Sequence, residues 1–310
     1  MLVATRKEKM KAMSDRSWQR AEWMGLLARA APARLAALMP APLPVHTLLR
    51  KPEIGAVMLL RELDRQARRE GGAVYMLNGN HEALNVCGDF RYATPGGFRE
   101  AALAAGLTGA AAAGLDGQLR ARAALYAPGG PMALELALNP TVLVVGDTVF
   151  AHGGIVPAHV QAGFKELNAS VAAWMRGDRG ADGSAAPPPF LAMGDSQSVM
   201  WNRAYGKERY GSPAERYHAC RQLSAALDLA GAARLVVGHT PQLGGCNCEC
   251  GGRVWRVDVG MSSGVLDARP SVLELPPDGS DPRVLVAGGA ACSVPNPVPA
   301  RGGFVRRGGV

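Results

Sequence analysis

The chain has 310 residues, 48% of them apolar, which suffices for a sizeable core and for one large domain with tails, or two domains at ~100–200 residues each. Lys and Arg number 34 against 26 Asp and Glu, a balance of +8 that excludes an acidic or densely charged disordered chain. The basic residues are scattered and aromatics reach only 5%, so no nucleic-acid partner is expected.

Residues 1–50 are basic, with nine Lys and Arg against Glu8, Asp15 and Glu22. Ser14 can cap a helix over Ser14–Leu38, where Trp18, Met24 and Leu27 recur at helical spacing. The early apolar runs are interrupted by Arg and Glu, unlike a secretory signal, and three acids with two Ser fit an organelle leader poorly. Pro40, Pro42 and Pro44 break the chain. An amphipathic helix follows over Glu53–Arg69, with Ile54, Val57, Leu60 and Leu63 on one face, and Gly71-Gly72 ends it. The run Ala73–Leu77 reads as a buried strand, so helix, Gly-Gly and strand form an α/β unit.

An Ala-rich helical region is expected over Phe98–Tyr126 and a short helix over Pro131–Ala137. Within the first, Ala101–Leu115 is the nearest approach to a membrane span. It is shorter than the ~18–20 residues required, and no membrane insertion is expected. Strands at Thr141–Val145 and Val149–Ala151 are joined by a Gly146-Asp147-Thr148 turn. A low-complexity loop over Arg179–Pro189, a helix over Glu215–Leu229, and strands at Leu235–Val237, Val254–Val259 and Ser271–Leu275 complete the pattern. From Pro276 the chain reads as a loose Pro/Gly-rich tail.

Three apolar strands stop at turns carrying Gly and His: Gly79-Asn80-His81-Glu82, His152-Gly153-Gly154 and Gly238-His239-Thr240. A site at the edge of a parallel or mixed sheet requires such strand ends. Glycine lets the backbone approach a ligand, and imidazole and amide groups ligate Mn, Fe or Zn. One strand-end His would mean little; three in one chain point to chemistry. His46, His159 and His218 lack this setting.

These motifs, with Gly88-Asp89-Phe90-Arg91-Tyr92, Pro95-Gly96-Gly97, Trp201-Asn202-Arg203, Pro241-Gln242 and Val257–Ser262, resemble those of the calcineurin-like metallophosphoesterases. More narrowly they resemble the phosphoprotein phosphatases of the Shewanella-like type. The resemblance covers residues 50–275 and implies an α/β fold, a sandwich of two mixed sheets flanked by helices. It divides the chain into a non-conforming basic extension (1–49), a metallophosphoesterase domain (50–275) and a tail (276–310). It also implies metal-dependent hydrolysis of phosphate monoesters on a phosphoprotein or phosphopeptide, with two divalent ions (Mn, Fe or Zn). A soluble intracellular setting is expected, with the compartment (cytosol, chloroplast or mitochondrion) left open. By position, Asn80, His152 and His239 resemble metal ligands, His81 the proton donor to the leaving group, and Arg203 the clamp on the substrate phosphate. Arg suits that clamp because its guanidinium stays charged and binds phosphate bidentately. Imidazole can supply a proton near neutrality.

The departure from the family is as informative. The resemblance calls for a Gly-Asp-x-His-Gly motif and a Gly-Asp-x-x-Asp-Arg-Gly motif, which supply the first metal's Asp and His. Neither occurs before Asn80, and Leu43–Arg50, where the second should end, holds no carboxylate. Gly177-Asp178-Arg179-Gly180 resembles the second motif but follows His-Gly-Gly, and Gly146-Asp147 and Gly194-Asp195 belong to turns and loops. With neutral donors alone, at most one weakly held ion and impaired turnover are expected. The chain is then a piece of a longer product or a degenerate member. Two alternatives follow: a pseudophosphatase that binds phosphoproteins through Arg203, and a phosphoesterase acting on a dinucleoside polyphosphate.

Six cysteines are too few for a disulfide scaffold, and a reducing compartment is the default. The cluster Cys246-Asn247-Cys248-Glu249-Cys250 is the reason for doubt. It reads as loop thiols, either redox-sensitive or incidental, and its spacing is cramped for zinc.

Overall fold

The structure, a computed structural model, describes residues 2–5, 53–179, 183, 185–191, 195, 197–276, 280–287 and 292–293. The expected helix at Ser14–Leu38, the stretch Leu43–Arg50, and parts of the 179–189 loop and of the tail lie outside the described residues. The α/β class holds, with sheets flanked by helices. The chain divides into two compact units, one of residues 1–141 and 168–188, the other of 142–167 and 189–310.

In the first unit, strand β1 (Leu2–Thr5) pairs antiparallel with β2 (Ala73–Met76), Leu2 opposite Met76. Helix α1 (Ile54–Arg69) has the expected bounds, but of its expected face only Ile54 is buried; Met58 and Leu59 are buried beside it, and Val57, Leu60 and Leu63 are half-buried. Its start is capped from a distance. The buried carboxylate of Glu100 accepts from the backbone N–H groups of Glu53 (2.7 Å), Ile54 (3.0 Å) and Gly55 (2.9 Å). These are donors that a helix start leaves without intrahelical partners. Burial pushes the Glu100 carboxyl above the usual carboxylate range, and the three donors pull it the other way. Glu100→Ala strips all three donors of their acceptor in a buried place and is expected to cost about 2 kcal/mol, read from the urea midpoint, with Glu100→Gln costing less.

Helix α2 (Asn80–Val86) follows β2 directly. The Ala-rich region, expected as one helical stretch, is three helices: α3 (Pro95–Ala104), α4 (Gly109–Ala113) and α5 (Leu115–Tyr126). Thr94 caps α3 through its hydroxyl, which accepts from Gly97 N–H. Gly106, at φ 80°, ends it in a left-handed conformation that alanine resists. Helix α6 (Pro131–Leu136) starts at a proline, as expected.

The second unit holds a five-stranded mixed sheet. Strands β3 (Val142–Val145) and β4 (Thr148–Ala151) form the expected hairpin, with Gly146 at φ 58° in the turn. After α7 (Pro157–Ala162) comes helix α8 (Phe164–Arg176), which the sequence does not predict. Helix α9 (Pro213–Ala230) is capped by the Ser212 hydroxyl and stopped by Gly231 at φ 65°. Strand β5 (Arg234–Val237) pairs parallel with β4 and with β7 (Val254–Arg256). The sequence Asn247–Glu249, expected as a loop of thiols, is edge strand β6, antiparallel to β7. Val149, Ala151, Leu235, Val237 and Trp255 are fully buried at the centre of this sheet. The segment after Pro276, expected as a loose tail, carries β9 (Arg283–Val286) and β10 (Cys292–Ser293) in an antiparallel sheet with β8 (Ser271–Glu274).

Cys220 on α9 is disulfide-bonded to Cys250, just beyond β6. Cys250 therefore offers no thiolate to zinc. Burial pushes the Cys246 thiol up to about 11 and Cys248 in the same direction, which leaves both protonated and weak as ligands. The bridge closes a loop across 30 residues. Its reduction is expected to cost about 3 kcal/mol, read as a fall of the urea midpoint on adding dithiothreitol that is absent in Cys220→Ser.

Candidate active site

In the second unit two of the expected ligands meet. Strands β4 and β5 run parallel with Ala151 opposite Val237, so His152 and Gly238-His239 leave adjacent strands at the same sheet edge. Gly238 N–H donates to the His152 carbonyl at 2.9 Å and fastens the two turns together. His152 Nε2 and His239 Nδ1 then face each other at 3.2 Å, with the rings steeply inclined.

His239 is held in an uncommon conformation. Its φ is 66°, and Thr240 N–H closes a three-residue turn onto the Gly238 carbonyl at 2.8 Å. A non-glycine residue there costs ~1–3 kcal/mol and persists when its surroundings over-determine it. Those surroundings are visible. His239 is 7% exposed, and its imidazole meets the Trp201 ring edge-on at 5.5 Å. Buried Gln242 donates to the carbonyls of Gly206 (2.7 Å) and Thr240 (2.8 Å), and its own N–H donates to the Asp258 carbonyl. Arg203 reaches the same turn from its exposed position, donating to the His239 carbonyl (3.4 Å) and the Thr240 hydroxyl (3.3 Å).

The glycines after His152 are dictated by close approach. Gly153 and Gly154 N–H both donate to the Val199 carbonyl. A Cβ on Gly153 would lie 2.9 Å from Asn202 N, against backbone that cannot give way. Buried Asn202 accepts from Ala204 N–H at 2.7 Å, which shapes the turn that presents Arg203.

In the first unit, Asn80 and His81 occupy the first turn of α2 rather than a bare strand end. Glu82 steadies that turn by accepting from Gly79 N–H at 2.8 Å. Before it, buried Asn78 donates to the carbonyls of Leu136 (2.9 Å) and Asn139 (3.1 Å). Asn80 is buried, whereas His81 is exposed and stacked on Tyr92.

The other candidates resolve to local structure. Gly177 ends α8 at φ 81°, and Asp178 pairs with Arg176 at 2.7 Å. His218 is exposed on α9, and His46 lies outside the described residues. His159 is buried and accepts from Val156 N–H at the start of α7. Burial pushes its imidazole below the usual histidine range, partly offset by the Gln197 backbone and the Asp195 charge. A histidine depressed in the fold stabilises it above its unfolded value of ~6.5, and that contribution is lost as pH falls through the folded value. Urea midpoints are therefore expected to fall on acidification below that value, and His159→Gln is expected to flatten the fall.

Whether the donors suit a divalent ion can be tested on their spacing. Two nitrogens each ~2.0–2.1 Å from one ion stand ~2.8–3.4 Å apart at octahedral to tetrahedral angles. The His152–His239 separation of 3.2 Å lies within that range. The pair fits part of one ion's shell. Among the described residues no group of three or more His, Cys, Asp or Glu could hold an ion together.

Shewanella-like protein phosphatase 2 of Arabidopsis thaliana is 35% identical over 252 residues, which are 72% of this chain and 62% of that protein. Shewanella-like protein phosphatase 1 of Plasmodium berghei is 25% identical over 207 residues, 66% of this chain and 51% of its own length. The chain thus spans less than two thirds of either relative. A solved structure of a cold-active protein tyrosine phosphatase superposes with a TM-score of 0.59 at 21% identity, over 78% of this chain and 64% of that one. The cold-active protein tyrosine phosphatase of a psychrophilic Shewanella species gives 0.54 at 22%, over 77% and 63%. These likenesses show the fold. No protein-family model matches the chain.

Proposed function

We propose that this chain, which belongs to the Shewanella-like protein phosphatases, hydrolyses phosphate monoesters on proteins with a divalent ion held at His152 and His239. The observation that carries this reading is the pair of facing imidazole nitrogens at 3.2 Å, with the Arg203 guanidinium bonded to the carbonyl of one of them. A bound divalent ion supplies Lewis-acid stabilisation of phosphoryl charge. Arg203, already anchored on the His239 turn, takes the substrate phosphate and orients it through charge-assisted hydrogen bonds. Water forms the new bond to phosphorus as the ester P–O bond breaks, and the resemblance gives His81 the role of passing a proton to the departing oxygen, so that the product leaves as a neutral hydroxyl. By the resemblance, Asn80 is assigned the role of an amide-oxygen ligand. Because these donors are neutral, an ion gains little charge stabilisation from them, and turnover is expected to be weak.

The test is release of phosphate from a phosphopeptide in Mn²⁺, run beside a dinucleoside polyphosphate. Faster hydrolysis of the phosphopeptide is expected. Hydrolysis of the dinucleotide alone would sink the protein-phosphatase reading. A second reading, phosphoprotein binding without turnover, is favoured by the lack of any carboxylate over Leu43–Arg50. Phosphopeptide binding that survives chelation and is lost in Arg203→Ala, with no phosphate released, would decide for it.

A further inference from the structure

Tyr92 is an aromatic ring left 55% exposed, yet it is not idle: it lies parallel to the His81 imidazole, with centroids 4.7 Å apart and planes inclined by 11°. An exposed histidine in the first turn of a helix otherwise exchanges rotamers within nanoseconds. A proton donor needs its ring aimed within hydrogen-bond reach of the leaving oxygen, and small misplacements are costly. We infer that Tyr92 is the positioning residue for His81, the surface on which the imidazole is held in its working orientation.

The surrounding structure is built to present Tyr92 there. Gly88, at φ 78°, turns the chain back after α2, and Asp89 N–H returns to the Leu84 carbonyl at 2.9 Å. Phe90 anchors the segment, packed edge-on against Phe98 and beside the Arg122 guanidinium. Asp89 and Arg91 pair at 2.7 Å, and Ala93 N–H closes the turn onto Phe90, which leaves Tyr92 facing His81. The helix turn that carries His81 is held as well. The His81 carbonyl accepts from the Asn85 side chain at 2.8 Å, and the Asn85 oxygen accepts from Arg122 Nε (3.0 Å) and Nη2 (2.8 Å). One buried guanidinium thus supports both the helix turn that carries His81 and the segment that carries its stacking partner.

This inference rests on His81 as the proton donor, so its test separates the two ideas. In the full chain labelled at histidine, the His81 ring protons, assigned through His81→Asn, are expected upfield in the ring current of Tyr92. Tyr92→Ala should move them to the position of an unstacked imidazole, and Tyr92→Phe, which keeps the ring, should restore them. Phenyl phosphate has a poor leaving group that needs the proton, whereas p-nitrophenyl phosphate needs it much less. Tyr92→Ala is expected to lower kcat on phenyl phosphate by ~10–100-fold with little change in KM, and to lower it far less on p-nitrophenyl phosphate. His81 resonances unmoved in Tyr92→Ala would overturn the positioning role. So would moved resonances with equal kcat losses on the two esters. If His81→Asn hydrolyses phenyl phosphate like the parent, the proton-donor reading fails and the stack is judged on the resonances alone.

Discussion

Replacing His239 by alanine is expected to abolish divalent-ion binding, measured by titration calorimetry with Mn²⁺, and with it the metal-supported release of phosphate. The variant removes one of two facing donors. Removing an outer-shell partner of a metal ligand typically costs ~10–100-fold in affinity, so loss of the ligand itself should exceed 100-fold. His152→Ala should do the same, and the double variant should lose little more, because the two act as one unit. Additive losses would mean that the rings serve separate purposes. Alanine keeps the Cβ that the left-handed backbone at 239 disfavours, so the strain is not relieved. The fold should therefore be retained or slightly weakened, which circular dichroism checks. Binding should also weaken on acidification, because protons compete for the nitrogens that would face the ion.

Arg122→Ala is expected to lower unfolding stability by about 4 kcal/mol, the largest effect of any substitution considered, measured from urea denaturation. The side chain is 1% exposed. It pairs with Glu53 at 2.6 Å, donates twice to Asn85, and lies within 4.9–5.6 Å of the rings of Phe90, Phe98 and Tyr126. Truncation leaves a cavity, removes a desolvated cation–π contact worth ~2 kcal/mol, and strands two acceptors. The loss stays below the ~5 kcal/mol extreme for a broken buried pair because Glu53 retains some water. Arg122→Lys keeps the charge but not the forked donor geometry and should fall between parent and alanine. A loss under ~1 kcal/mol would show that the guanidinium is dispensable to the packing around it.

Local signals in the sequence were enough for much of the fold. Helix α1 with its Gly-Gly stop, the β3–β4 hairpin with its glycine turn, β5, and α9 all lie close to their expected bounds, although α1 buries Met58 and Leu59 more deeply than the expected Val57, Leu60 and Leu63. The split of the Ala-rich region was less legible because alanine favours helix throughout, and the breaks depend on how Gly106 and Gly114 meet their neighbours. Strand β1 was illegible. Its four residues carry no strong pattern, and their partner lies some seventy positions on. Strand β6 was hidden for a related reason: a three-residue edge strand within a cysteine cluster offers no alternation to read.

The sequence by itself determined the chemistry on offer: three His-bearing turns behind apolar strands, an arginine in Trp-Asn-Arg, and the absence of two acidic motifs. Those are matters of residue type and order, which a one-dimensional reading contains. Only the tertiary structure decided which groups meet. Parallel pairing of β4 with β5 brings residues 152 and 239 within hydrogen-bond distance, the Cys220–Cys250 bridge selects one partner among several thiols, and a turn through Gly88 lays Tyr92 on His81. Such meetings depend on backbone hydrogen bonds and packing between distant segments, whose cost and reward are settled only when the whole chain folds.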